Sequence, residues 1–278
     1  MQDQPSKSTR LPSSFTKIIA TAGFTLIETM VALTVSLLIY SILMEIYVHT
    51  LKSYRLQIAY HQLQINAEQA VSILMSAIKK SGYIGCAKLT KNFPLANQAS
   101  STFNFENQLV LTPHSLTVSY MQHKTATLIH GVEGGKTLTI DHGISIKPRD
   151  ILIISDCESA NIFTVKNVSK FKFKQIIYLN TPLIYPFKAG AQISHLVKER
   201  YLLKKVSAPN QYQRKFALFR ENLIHKRQHE LVGGIDQIDF DPDLNLKTQL
   251  IQGVMIELTF SEFFKKKVKR YVAIDRVL

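Results

Sequence analysis

Two hydrophobic periodicities divide the chain. Residues 24–44 are apolar almost throughout, with Glu28 as the one charged side chain among them. A run of this length matches the hydrocarbon core of a bilayer, which takes about 20 helical residues. From Tyr47 onward the pattern turns amphipathic. Tyr47, Leu51, Tyr54, Ile58 and Ile65 recur at helical spacing, and Val71, Leu74 and Ile78 resume it after a small phase shift. Neither Gly nor Pro occurs between Phe24 and Ser81. One continuous helix of about 87 Å is therefore predicted over 24–81. Lys79 and Lys80 favour its C-terminal dipole end, and Gly82 ends it.

Beyond Gly82 the period falls to two. Residues 88–105 are polar and rich in Asn and Ser, which predicts a loop. Short alternating or wholly apolar runs follow at 108–111, 115–121, 136–141, 151–155, 161–166, 175–180, 192–197, 200–205 and 216–220. A late strand entry over 231–240 and a hairpin of 253–260 with 268–274 complete the pattern. Turn residues separate the runs, at Gly134-Gly135, Pro148, Asn167 and Pro182. The expected fold class is α+β. A long N-terminal helical spine, half membrane-type and half amphipathic, packs on an antiparallel β-rich domain.

Composition changes this picture in two ways. Of 278 residues, 46% are hydrophobic, enough to build a core for the roughly 200 residues beyond the helix. The chain has 34 Lys and Arg against 20 Asp and Glu, a formal charge of +14. A basic surface outside the cytoplasm suits anionic lipid, a surface polymer or DNA, or it serves only solubility. The sharpest basic cluster is Lys265, Lys266, Lys267, Lys269 and Arg270, at the tip and second strand of the last hairpin. It is a polyanion-binding candidate or a solvated hairpin tip. The two cysteines, Cys86 and Cys157, form either a disulfide or two buried thiols, and an oxidising compartment favours the disulfide.

Signatures of catalysis are missing. There is no GxSxG, GxxxxGK or HExxH segment. His225 and His229 lie four apart but lack a helical stripe and a third ligand. Asp236, Asp239, Asp241 and Asp243 could converge on calcium, yet the spacing lacks the Gly and terminal Glu of an EF-hand loop. No catalytic residue, metal or cofactor is expected. The chain reads as an assembly or binding protein and not as an enzyme.

The residue that needs explaining is Glu28. A carboxylate in the membrane costs about 2.5 kcal/mol or more, so it calls for a partner. Residues 1–22 carry Lys7, Arg10 and Lys17 against Asp3, which holds the N-terminus on the cytoplasmic side. An ordinary signal peptide fits poorly, because Thr21-Ala22-Gly23 precede the apolar run instead of following it. Cleavage after Gly23 accounts for the parts together. Phe24 then carries a free ammonium, and the Glu28 carboxylate of one chain can pair with the Phe24 ammonium of the next.

This composite of basic leader, Gly23-Phe24, Glu28 and apolar helix resembles the class III signal of type IV pilins and type II secretion pseudopilins. The resemblance implies prepilin peptidase cleavage between Gly23 and Phe24, N-methylation of Phe24 and an assembly role for Glu28. A second stretch is similar to the PilW family of minor pilins: Ser81-Gly82-Tyr83-Ile84-Gly85-Cys86, followed by the segment from Lys147-Pro148-Arg149-Asp150 through Ser155-Asp156-Cys157. Arg149 stands where that pattern would carry Gly. The PilW resemblance implies a cleaved leader over 1–23 and a helix over 24–81, membrane-spanning to 48 and amphipathic from 49. A β-rich domain outside the cytoplasm occupies 82–278. It implies a membrane precursor that becomes a pilus subunit serving twitching motility, adhesion or DNA uptake. Its partners would be major and other minor pilins, the prepilin peptidase and the inner-membrane assembly platform. The alternatives are a J-type pseudopilin of type II secretion and a pilus-tip module that binds DNA.

Overall fold

The structure is a computed structural model that describes residues 25–86, 88–99, 103–206, 216–244, 251–260 and 266–274. The fold is α+β: one long N-terminal apolar helix followed by an antiparallel β-rich domain. The chain divides into two compact units, one ending at Ile58 and one beginning at Ala59.

Helix α1 runs without interruption over Leu26–Lys80, 55 residues or about 82 Å. It is long and apolar enough to cross a membrane. Every residue from 25 to 62 is exposed. Burial begins further on and follows a helical period at Ala67, Ala70, Val71, Leu74, Ala77 and Ile78. The sequence pattern leads to a covered stripe that starts near Tyr47. In the structure Tyr47, Leu51, Tyr54 and Ile58 are exposed, Ile65 is half-buried, and Val71, Leu74 and Ile78 are buried. Periodicity gives the side on which apolar residues lie, not what covers them. Three alanines in the covered part keep that face of the helix shallow.

The helix ends on Gly82, whose φ of 73° is left-handed. Ser81 N–H donates to Ile78 O at 3.1 Å, and Tyr83 N–H donates to Lys80 O at 3.1 Å. Ser81 Oγ then donates to Gln108 O at 3.0 Å, and Gly82 N–H donates to Ser119 O at 3.0 Å. These bonds dock the exit onto β2 (Leu109–Thr112) and β3 (Ser115–Met121). A Cβ on Gly82 would fall on the Gln108 side-chain amide.

The larger sheet turns on one strand, β9 (Gln192–Lys205). Besides β2 and β3, its other members are β1 (Leu95–Asn97), β4 (Ala126–Thr127), β5 (Thr137–Ile140), β6 (Ile151–Ser155), β7 (Ala160–Lys170), β8 (Gln175–Leu179), β10 (Phe216–Asn222) and β11 (Arg227–Gly233). The second half of β9 pairs with β3 and β10, and its first half pairs with β4 and β6. The main path runs β11-β10-β9-β6-β7-β8-β5. A separate sheet orders β12 (Gln237–Leu244), β13 (Ile251–Phe260) and β14 (Lys266–Ala273) side by side.

Three apolar clusters result. The first joins the buried face of α1 to Leu116, Val118, Leu218, Ile238, Ile256 and Phe260. The second lies within the β4–β9 segment, around Leu138, Ile140, Phe163 and Ile177. A smaller third, with Ile84, Phe103 and Ile153, sits behind the helix exit. Several expected strands shift. The expected strands at 192–197 and 200–205 are one strand, β9. The expected entry at 231–240 is two strands, because Gly234 at φ 83° breaks it. The expected loop at 88–105 contains β1, which pairs with β7 in parallel.

Candidate functional site

At the start of α1 the structure supplies Glu28 with a local partner. Thr25 N–H and Thr25 Oγ1 both donate to Glu28 Oε2, at 3.1 Å each. Glu28 N–H donates back to Thr25 Oγ1 at 3.4 Å. Thr29 N–H donates to Thr25 O at 3.3 Å, which makes Thr25 the residue before the first helical turn. This is a capping box, two orphan N–H groups satisfied reciprocally. The spacing Thr25-x-x-Glu28 is itself the signal that reveals it. Gly23 and Phe24 lie outside the described residues.

Cys86 and Cys157 are joined in a disulfide across 71 positions. It ties the helix exit to the turn after β6, and both cysteines are exposed. Cys157 has φ 74°, and Asp156 Oδ1 accepts the N–H groups of Glu158 and Ser159 around it. The turn before β6 has Pro148 at its second position and Arg149 at its third, with φ 72°. Asp150 N–H closes it on Lys147 O at 3.2 Å. A type II turn has this form and favours Gly at the Arg149 position.

Among the described side chains, the basic candidates Lys267, Lys269 and Arg270 do not form one patch. Lys265 lies outside the described residues, and Lys266 opens β14. Lys267 and Lys269 share one face of that strand, and both bind Glu257, at 3.0 and 2.9 Å. Lys269 first and Lys267 second hold the Glu257 carboxyl below its ordinary range. Alternation along the strand puts Arg270 on the opposite face, beside Val268. Arg270 there lines a groove of about 550 Å³ with Lys79, Lys80, Val71 and Met75 of α1.

The aspartates are likewise dispersed. Asp239, Asp241 and Asp243 line one face of β12 at alternate positions, about 6.8 Å apart. Asp239 accepts from Gln237 Nε2 at 2.7 Å, and Asp243 accepts from Tyr271 Oη at 2.7 Å. His225 sits in a turn and His229 on β11. No group of three His, Cys, Asp or Glu side chains among the described residues could hold a metal.

One polar cluster has no signal in the sequence. Glu199, 8% exposed in the middle of β9, accepts from Tyr201 Oη at 2.9 Å and Tyr120 Oη at 3.2 Å on the same oxygen. Arg220 Nε stands 3.8 Å from the other oxygen. Burial first, and then the Glu199 charge and hydrogen bond, push both phenols well above the ordinary tyrosine range. The cluster joins β3, β9 and β10, and its two tyrosines belong to the same apolar cluster as the buried face of α1.

Comparison with protein families, with curated proteins and with solved structures finds no match to this chain.

Proposed function

We propose that this chain is a minor pilin of the PilW class, an assembly subunit and not an enzyme. The observation that carries the reading is the combination at the helix start. A carboxylate, Glu28, stands in the first turn of an apolar helix that continues unbroken into the core of a β-rich domain, and Gly23-Phe24 lie just before it. In this reading the prepilin peptidase cuts after Gly23 and methylates Phe24. The new ammonium of one subunit then takes the Glu28 carboxylate of its neighbour, which relieves the cost of that charge in the bilayer.

The Cys86–Cys157 bond and the strands between its ends support the PilW class over a J-type pseudopilin of type II secretion. The partners are then major and other minor pilins, the peptidase and the assembly platform. The precursor sits in the inner membrane with its N-terminus in the cytoplasm. The test is incorporation of Glu28→Gln into sheared surface fibres of a piliated host. The reading predicts a subunit that is processed and membrane-bound but depleted from the fibres. Wild-type incorporation by Glu28→Gln contradicts it.

A further inference from the structure

Between Glu158 and Glu199 the chain carries six lysines and no acidic residue. Four of those lysines lie on the β7–β8 hairpin, and three of them alternate with phenylalanine at its tip: Lys170-Phe171-Lys172-Phe173-Lys174. The tip is built from below. Lys170 pairs with Gln175 across the ladder, and Phe171 N–H donates to Lys174 O at 2.9 Å. Gln175, 2% exposed, donates to Ile144 O at 2.9 Å and to His142 Nδ1 at 3.2 Å. His142 Nε2–H in turn donates to the Phe171 carbonyl. The ring thus bridges Gln175 and the Phe171 carbonyl, and its position fixes the turn.

On this anchored base the two aromatic rings face water. Phe171 is 50% exposed and Phe173 79%. Each ring has a lysine ammonium over one face, which leaves the other face for a base. Lys174 Nζ lies 5.9 Å from the Phe171 centroid and Lys172 Nζ 5.5 Å from that of Phe173. This contrasts with β14, where Glu257 occupies both Lys267 and Lys269. Asp141, which precedes His142, is committed to the N–H groups of Thr127 and Gly143.

We infer that this hairpin tip binds single-stranded nucleic acid. Bases stack on Phe171 and Phe173, and backbone phosphates meet Lys170, Lys172 and Lys174. Stacking on exposed rings interleaved with cations is sequence-tolerant, since every base has a π-face. Two rings at positions i and i+2, each with an ammonium within about 6 Å, offer one stack and one phosphate contact per nucleotide. A lipid surface fits less well, because insertion scales with buried apolar area and the tip offers only two rings. The inference does not depend on the pilin reading.

The test uses the full-length chain in phosphatidylcholine nanodiscs and a fluorescent oligothymidylate, with anisotropy followed across salt. Binding is expected, with a log–log salt slope of about −2 for three phosphate contacts. Phe171→Ala with Phe173→Ala weakens it about tenfold or more and keeps the slope. Lys172→Gln with Lys174→Gln flattens the slope by about one unit or more, and Lys267→Gln with Lys269→Gln changes neither. Thermal unfolding of each variant checks the fold. An absence of binding at about 50 mM salt, or full affinity in the phenylalanine variant, overturns the inference. Hairpin-dependent flotation of the nanodiscs with phosphatidylglycerol vesicles, without oligonucleotide binding, overturns it in favour of a lipid contact.

Discussion

Thr25 and Glu28 cap each other at the head of α1: the Glu28 carboxylate takes the Thr25 amide and hydroxyl at 3.1 Å each. The same carboxylate that is proposed to meet a neighbouring ammonium thus has a role in the isolated subunit. The two roles separate by substitution. Thr25→Ala removes the cap, at a cost of about 1 kcal/mol to the helix start, and leaves the charge. It is expected to assemble nearly as well as the wild type. Glu28→Gln keeps an acceptor for the cap and removes the charge, so it is expected to fold normally and fail in assembly. Helicity by circular dichroism, read beside fibre incorporation, checks both.

The Cys86–Cys157 bond closes a loop of 71 positions. In the chain-entropy treatment such a loop contributes about 4 kcal/mol. Reduction with dithiothreitol, or Cys86→Ser with Cys157→Ser, is expected to lower the unfolding free energy of the β-rich domain, read from urea curves, by about 2–4 kcal/mol. Because both cysteines are exposed, the bond is expected to be reduced without prior unfolding. Equal unfolding curves for the oxidised and reduced chains would contradict this.

The buried Glu199 cluster gives the domain an alkaline limit. The phenols of Tyr120 and Tyr201 titrate above their ordinary value in the folded chain. In the unfolded chain they lose their protons near pH 10. Above that pH the unfolded state binds fewer protons than the folded state, so stability falls as pH rises. Their contribution is complete below pH 10 and is lost above it, by up to about 1.4 kcal/mol per pH unit for each tyrosine. Tyr120→Phe with Tyr201→Phe is expected to flatten that slope in urea unfolding measured across pH 8–12. Glu199→Ala, which strands two buried hydroxyls, is expected to cost about 3 kcal/mol or more at neutral pH.

Two left-handed positions predict opposite signs. Arg149 at φ 72° carries a side chain where a type II turn favours Gly. Arg149→Gly is expected to raise stability by about 0.5–1 kcal/mol. Gly82 at φ 73° has the Gln108 amide where a Cβ would go. Gly82→Ala is expected to lower stability by at least about 1 kcal/mol. Thermal unfolding of both variants is the check.

Much of this fold is legible before the structure. The helix is bounded by the absence of Gly and Pro between Phe24 and Ser81, and the observed ends at Leu26 and Lys80 fall inside those limits. Strands β3 and β6 agree residue for residue with the expected runs, because turn residues flank clean apolar patterns. Strand β9 is not legible as one strand, since Lys198-Glu199-Arg200 interrupts its apolar run. Only the tertiary environment, with two phenols and Arg220, makes a carboxylate tolerable there. The three residues of β1 hide in a polar stretch and pair in parallel with a strand far along the chain, which no local pattern signals. Dispersal of the basic cluster likewise depends on Glu257 lying opposite Lys269, a matter of register and not of composition.

The measurement that tests the central claim most directly is the N-terminal mass of the protein, purified from cells with and without a prepilin peptidase. The account predicts a mature chain that begins at N-methylated Phe24 only where the peptidase is present, and no such shift for Gly23→Ala. A chain that retains Met1 in the presence of the peptidase, or one cut beyond residue 44, would contradict it. The neighbour pairing assigned to Glu28 would then have no ammonium to meet.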